Sequence, residues 1–244
     1  MSHKTAVVII GNSAVKFFLL RGSVPVFVKQ VPAKAGRIER HPFLRQAGLR
    51  TVIIASVVPS LTRLVKKTVS AKIIELKNSE IPIKNLYRNK NETGIDRLLA
   101  ACAAKEKYGA PLIVLDFGTA TTFNVVDRQG RFAGGMILPG LAFFGEYLHS
   151  RTAQLPELAF KKPVEIIGRD TKQNILSGTY YGTASMIEGM ISLLKKKIKG
   201  RVKVVATGGF SACFSGKIKG IDRIESGLVA SGAVIAARGR IKRL

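Results

Sequence analysis

Short apolar runs rich in β-branched and aromatic residues recur along the chain, each closed by glycine, asparagine or proline. Val7–Ile10, Lys16–Leu20 and Val24–Val28 predict a three-strand meander with turns at Gly11-Asn12 and Arg21-Gly22. Gly36 to Gly48 reads as a short polar helix broken around Pro42, and Thr51–Ser56 as a buried strand. Pro59 suits the first turn of a helix running to Val69, and Ala71–Leu76 is a further strand. The polar stretch Lys77–Glu92, with Pro82, Asn85, Asn89 and Asn91, reads as a connection. The pattern then repeats. A helix from Gly94 to about Tyr108 precedes a hairpin over Leu112–Val126 and a third strand at Arg131–Leu138. Helices follow at Leu141–His149 and about Thr171–Lys197, then a strand at Val202–Ala206, a turn at Thr207-Gly208-Gly209 and a terminal helix at Gly227–Ala237. This alternation predicts an α/β protein with two lobes, residues 1–93 and 94–244.

The hairpin Leu112–Val126 is the most informative stretch. A buried strand ends in Asp116-Phe117-Gly118, and Thr119-Ala120-Thr121-Thr122 opens the next strand. A hydroxyl-rich turn whose glycine lets the backbone approach a ligand suits phosphate oxygens and a cation, although a polar hairpin tip has the same composition. A second copy lies near the N-terminus. In Ile9-Ile10-Gly11-Asn12-Ser13-Ala14-Val15-Lys16, superimposing Gly11 on Gly118 places Asn12-Ser13 on Thr119-Ala120 and Ile9 on Asp116. Internal repetition of this kind points to a duplicated unit. Two such hairpins facing each other across a cleft would grip a nucleoside triphosphate, with Thr207-Gly208-Gly209 as a third place of close backbone approach.

Composition narrows the classes. At 244 residues there is ample chain for a core, and no apolar run approaches a membrane span. The N-terminus leads directly into a strand with no signal-peptide pattern. Cys102 and Cys213 are far apart and lack Cys-x-x-Cys spacing, which argues against zinc or a disulfide framework and for a reducing cytoplasm. The formal charge of +25 attracts anions, including nucleotides and nucleic acids, with local clusters at Lys195–Lys197 and Arg238–Arg243. No recognition helix, zinc finger or aromatic-basic motif accompanies that charge, so it leaves nucleic acid open without motif support. No Gly-x-x-x-x-Gly-Lys-Ser/Thr loop occurs, and no Gly-x-Gly-x-x-Gly opens a helix after the first strand.

The polar run Asn89–Arg97 enters the apolar helix Leu98–Ala101, placing Gly94–Arg97 at a helix N-terminus where anions are favoured. Asp96 reads equally as a capping carboxylate or as a general base for a substrate hydroxyl, with Arg97 as a clamp on a substrate carboxylate.

Taken together and in order, the motifs resemble those of the type III pantothenate kinases, a family of the actin-like ATPase superfamily. Ile10-Gly11-Asn12-Ser13 resembles the first phosphate motif, and Ala55-Ser56-Val57-Val58-Pro59 a strand-to-helix junction. Gly94-Ile95-Asp96-Arg97 resembles the pantothenate motif Gly-x-Asp-Arg, and Asp116–Thr122 the second phosphate motif. Gly134–Gly140, with Thr152–Pro156 downstream, resembles the segment near the adenosine. The resemblance implies two duplicated ribonuclease-H-like, actin-like lobes with mixed sheets and a nucleotide cleft between them. It further implies phosphorylation of pantothenate to 4'-phosphopantothenate by ATP, the first step of coenzyme A synthesis. Asp96 would be the base, and Tyr87, Gly94, Ile95, Asp96, Arg97 and Thr171 would line the substrate site. Thr171 reads equally as a cap of its long helix. Gly11, Asn12, Ser13, Lys16, Gly118, Thr119, Thr122, Gly134 and Gly135 would hold ATP. Asp116 would bind a monovalent cation, potassium or ammonium, with magnesium accompanying the nucleotide. The family resemblance also implies a cytoplasmic homodimer with its active site near the subunit interface.

The first phosphate motif departs from the family at Ile9, where an aspartate that positions magnesium is expected, and Asn124 stands where many relatives have aspartate. The alternative expectation is therefore a catalytically impaired relative acting as a regulatory or nucleic-acid-associated binding protein.

Overall fold

The computed structural model describes residues 4–39, 41–45 and 48–241. Residues 1–3 of the N-terminal lead, residues 40, 46 and 47 of the polar helix expected over 36–48, and residues 242 and 243 of the last basic cluster lie outside the described residues.

Two compact units emerge from the contacts. In the first, β1 (Lys4–Ile10), β2 (Ala14–Arg21) and β3 (Val24–Pro32) form the expected antiparallel meander. β4 (Leu49–Ser56) and β5 (Lys72–Glu75) add in parallel, giving the order β3-β2-β1-β4-β5. The helix expected over 36–48 and broken around Pro42 appears among the described residues as a short α1 (Ala35–Glu39) and a separate single turn at Pro42–Arg45, which proline starts. Pro59 opens α2 (Pro59–Thr68) as expected. The face of the sheet bearing Ala6, Val8, Ile10 and Phe17 packs with Ile38, Phe43, Leu61 and Val65 into one core.

The opposite face is covered by two helices from further along the chain. α3 (Ile95–Tyr108) packs on β4, and the last helix (Leu228–Ile241) packs on β1, β3 and β4 and against α3. α3 is stopped by Gly109, which adopts a left-handed φ of 77°, and carries an unbroken buried run from Leu98 to Ala104. The two helices approach so closely that a Cβ on Gly232 would lie 2.1 Å from the Leu99 carbonyl oxygen. This grouping differs from the division at residues 93 and 94 expected from the sequence, because these helices bury their small-residue faces with the first sheet.

The second unit repeats the strand plan. β6 (Leu112–Phe117), β7 (Ala120–Val126), β8 (Phe132–Pro139), β9 (Lys203–Thr207) and β10 (Arg223–Ile224) form a sheet of order β8-β7-β6-β9-β10. The β6–β7 pair is antiparallel and β6–β9–β10 parallel, as in the first sheet. α4 (Leu141–Arg151) and α5 (Thr171–Ile198) follow β8, and the final helix is thus α6. The core of this unit joins Leu115, Phe117, Phe123, Tyr180, Ile187 and Phe214. Cys102 and Cys213 are free thiols, and burial pushes the Cys102 thiol up to about 11. Among the described residues no helix is long and apolar enough to cross a membrane.

Candidate active site

In the second unit the β6–β7 hairpin presents Asp116 on the sheet face opposite the aromatic core. Register places it beside Thr122 on one side and Thr207 on the other, so a half-buried carboxylate is framed by two threonines. Gly208 closes over the carboxylate and Gly140 over the hairpin tip. A Cβ on Gly208 would sit 2.4 Å from Asp116 Oδ1, and one on Gly140 would sit 2.2 Å from the Thr119 carbonyl oxygen. Gly208 has a left-handed φ of 95°, which suits a residue with no side chain. The structure thus brings Asp116, Gly118, Thr119 and Thr122 together with the Thr207-Gly208-Gly209 turn. Thr119 and Gly209 are exposed at its mouth. Behind the turn, Asn124 is fully buried, and its Nδ2 donates to Thr122 Oγ1 at 2.9 Å.

In the first unit the matching hairpin is one residue longer. Gly118 N–H donates to the Ala120 carbonyl, whereas Gly11 N–H donates to that of Ala14. The residue-for-residue superposition expected after the glycine therefore fails, and Asn12 and Ser13 stand exposed as an extra step. Ile9 occupies the sheet position of Asp116, flanked by Lys16 and Ala55 in place of the threonines. The junction Ser56–Pro59 adjoins this turn. Val57 N–H donates to the Ile10 carbonyl at 3.0 Å, and Ser56 Oγ accepts from Val58 N–H.

Gly94–Arg97 lies at the start of α3, with Gly94 as the residue before the first turn. Asp96 Oδ1 accepts the Arg97 backbone N–H at 2.9 Å, so the carboxylate folds back over Gly94. A Cβ on Gly94 would meet that oxygen at 2.5 Å, which gives this glycine a purpose: it leaves the carboxylate its place. Arg97 is only 8% exposed. Its Nη1 donates to Tyr87 Oη at 2.8 Å, and its guanidinium carbon lies 5.6 Å from the ring centres of both Tyr87 and Phe132. Aromatic faces stabilise a desolvated guanidinium, so Arg97 and Tyr87 form one ordered group. Ile95 is buried and contributes to the helix packing.

Thr171 stands apart from these clusters within its own unit. It is the exposed first residue of α5, and the cap of that helix is Asp170, whose Oδ1 accepts the Gln173 N–H at 2.8 Å. Thr171 lines a cavity of about 620 Å3 between α4 and α5, with Phe144, Tyr147, Leu155, Thr183 and Met186. Gly134 and Gly135 sit in β8 with positive φ values of 104° and 155°. A Cβ on Gly135 would lie 1.7 Å from the Phe123 carbonyl, so strand packing alone demands glycine there. Among the described residues no three His, Cys, Asp or Glu side chains cluster as a metal cage. Asn85, Thr93 and Phe132 order the Tyr87–Arg97 group. The sequence placed the first two in a polar loop and the third in a strand, and nothing in their order marks the contacts that join them.

A family model described as type III pantothenate kinase matches residues 7–193. A protein of Methylacidiphilum infernorum named type III pantothenate kinase is 33% identical over 240 residues, spanning 96% of this chain and 88% of that one. Among solved structures, a Campylobacter jejuni protein described as a Baf family transcriptional activator superposes with a TM-score of 0.66 at 19% identity. That match covers 97% of this chain and 99% of the other. An archaeal actin homologue superposes with a TM-score of 0.52 at 12% identity, covering 97% and 99%. The two superpositions establish an actin-like fold.

Proposed function

The chain belongs to the type III pantothenate kinase family, and we infer that it transfers the terminal phosphoryl group of ATP to pantothenate, giving 4'-phosphopantothenate in the first step of coenzyme A synthesis. The observation that carries the assignment of its working residues is the Gly94–Arg97 arrangement, with a carboxylate held over a glycine at a helix N-terminus beside an ordered Arg97–Tyr87 pair. The helix start favours an anion. Tyr87, Gly94, Ile95 and Arg97 accordingly receive the acid.

In this reading the primary hydroxyl of pantothenate attacks the γ-phosphorus. The new O–P bond forms as the bridging bond to the β-phosphate breaks, ADP departs, and Asp96 accepts the hydroxyl proton. Asp96 Oδ1 is occupied by the Arg97 N–H, which leaves Oδ2 to meet the substrate. Gly118, Thr119 and Thr122 of the second hairpin, and Gly11, Asn12, Ser13 and Lys16 of the first, hold phosphate oxygens through hydroxyls, backbone N–H groups and one ammonium. Gly134 and Gly135 lie near the adenosine.

Asp116 is the carboxylate of the phosphate turn, and its neighbours suit a cation. Potassium or ammonium takes oxygen donors of the kind that Asp116 and the surrounding carbonyls offer. Magnesium characteristically binds through one or two carboxylates plus substrate phosphates, so a single carboxylate suffices in kind. When bound with the nucleotide it neutralises phosphate charge. The cytoplasm is the proposed setting. The proposed homodimer is supported by the apolar surface around the α4–α5 cavity, where Phe143, Tyr147 and Tyr181 are all more than a third exposed.

The test is pantothenate-dependent release of ADP. Asp96→Asn is expected to cut kcat by about a hundredfold or more, the usual range for losing a general base, with little change in ATP affinity. A variant that turns over as fast as the parent would remove Asp96 from the chemistry.

A further inference from the structure

The loop ahead of α3 is tied together by one side chain. Asn85 Oδ1 accepts the Tyr87 backbone N–H at 3.0 Å, and Asn85 Nδ2 donates to Thr93 Oγ1 at 3.0 Å. A peptide N–H can only donate, so the oxygen end must face Tyr87 and the amino end Thr93. Thr93 is 3% exposed and directly precedes Gly94. Its carbonyl accepts from Asn78 Nδ2 at 2.7 Å, which fixes the threonine from its other end. On the far side the backbone around Asn85 is pinned to Phe132. Phe132 N–H donates to the Lys84 carbonyl at 2.8 Å, and Leu86 N–H donates to the Phe132 carbonyl at 2.9 Å. Phe132 is fully buried, and its ring forms the second wall of the Arg97 guanidinium.

We propose that Asn85 is a positioning residue for the acid substrate: by bridging Tyr87 to Thr93 it sets the distance between the Tyr87 hydroxyl and the Gly94–Arg97 turn, and so aims Arg97. The proposal rests on the reading of Tyr87 and Arg97 as the pantothenate site. Two polar atoms side by side on one planar group reach these two partners at once, which a single hydroxyl or an aliphatic side chain does not. Asn85 lies outside the phosphate turns, so its effect belongs to pantothenate and not to ATP.

Steady-state kinetics with each substrate varied separately test this. Asn85→Ala is expected to raise the KM for pantothenate about fivefold, the factor that corresponds to one neutral hydrogen bond. The KM for ATP and kcat should stay within about twofold, a split that general loosening of the fold would not produce. Thr93→Val keeps the shape and removes the hydroxyl, so it should reproduce the effect even where the alanine variant folds poorly. The double variant should be no worse than either single, because both remove one shared bridge. Asn85→Asp should restore most of the affinity, since a carboxylate accepts both the Tyr87 N–H and the Thr93 hydroxyl proton. Arg97→Ala serves as the control for the underlying reading. An unchanged pantothenate KM in Asn85→Ala and Thr93→Val, with a raised one in Arg97→Ala, overturns the bridge and leaves the site standing. Equal rises for both substrates also overturn it. An unchanged KM in Arg97→Ala overturns the site itself.

Discussion

Position 9 shows how one residue changes the chemistry of a repeated hairpin. Asp116 sits between two threonines, and Ile9, at the same place in the other sheet, sits between Lys16 and Ala55. The first hairpin therefore offers phosphate an ammonium and peptide N–H groups but no carboxylate for a metal. Restoring the acid is expected to help. Ile9→Asp should raise kcat/KM for the magnesium nucleotide about tenfold, the factor that ~1.4 kcal/mol of transition-state stabilisation provides, and lower the magnesium concentration at half-maximal rate. A magnesium titration of both proteins checks this. An unchanged titration would show that the Asp116 side alone serves the metal. The Gly-x-Asp-Arg segment was legible at this scale because its parts are consecutive. Gly94, Asp96 and the Arg97 N–H meet within one turn of helix. Asn85 and Phe132 were not legible, because an asparagine in a polar loop and a phenylalanine in a strand carry no local sign of the partners that folding brings them.

Among the elements, the strands announced themselves through apolar runs and their closing turns, and nearly all of them appear where the pattern put them. β10 did not. Its two residues, Arg223 and Ile224, are held in the sheet by pairing with Val205 and Ala206 and form no run of their own. The difference between the two hairpins was also invisible, since it lies in which carbonyl accepts the glycine N–H and not in the order of residues. α3 and α6 could be read as helices but not assigned to a sheet. Their small residues are nearly uniform around the helix, and only contact reveals which face is buried. Gly232 reports that contact. Gly232→Ala must displace the Leu99 backbone and is expected to destabilise the protein by about 1–3 kcal/mol in urea denaturation. Gly239→Ala, on the same helix but in open space, should instead add about 0.5–1 kcal/mol through helix propensity. Equal effects of the two changes would remove close packing as the reason for Gly232.

For the whole molecule, the surface of α4 and α5 makes the clearest commitment. Phe143 and Tyr147 stack at 5.6 Å and are 45% and 49% exposed, an apolar pair that the proposed second subunit would cover. Light scattering is expected to give twice the chain mass of 26.4 kDa, and Phe143→Glu to shift it toward the single-chain value while the far-ultraviolet circular dichroism is kept. A parent that is monomeric at all accessible concentrations would place the interface elsewhere. The charge of +25 acts at this scale too, drawing anionic substrates inward at a rate that falls as salt rises.

The repeated strand order lets one hairpin plan carry two different sets of chemical groups. Here the first rendition carries an aliphatic side chain and a longer tip, while the second carries a carboxylate framed by hydroxyls. The same asymmetry gives a protein engineer two chemically distinct tips that can be varied separately when other phosphate donors are sought.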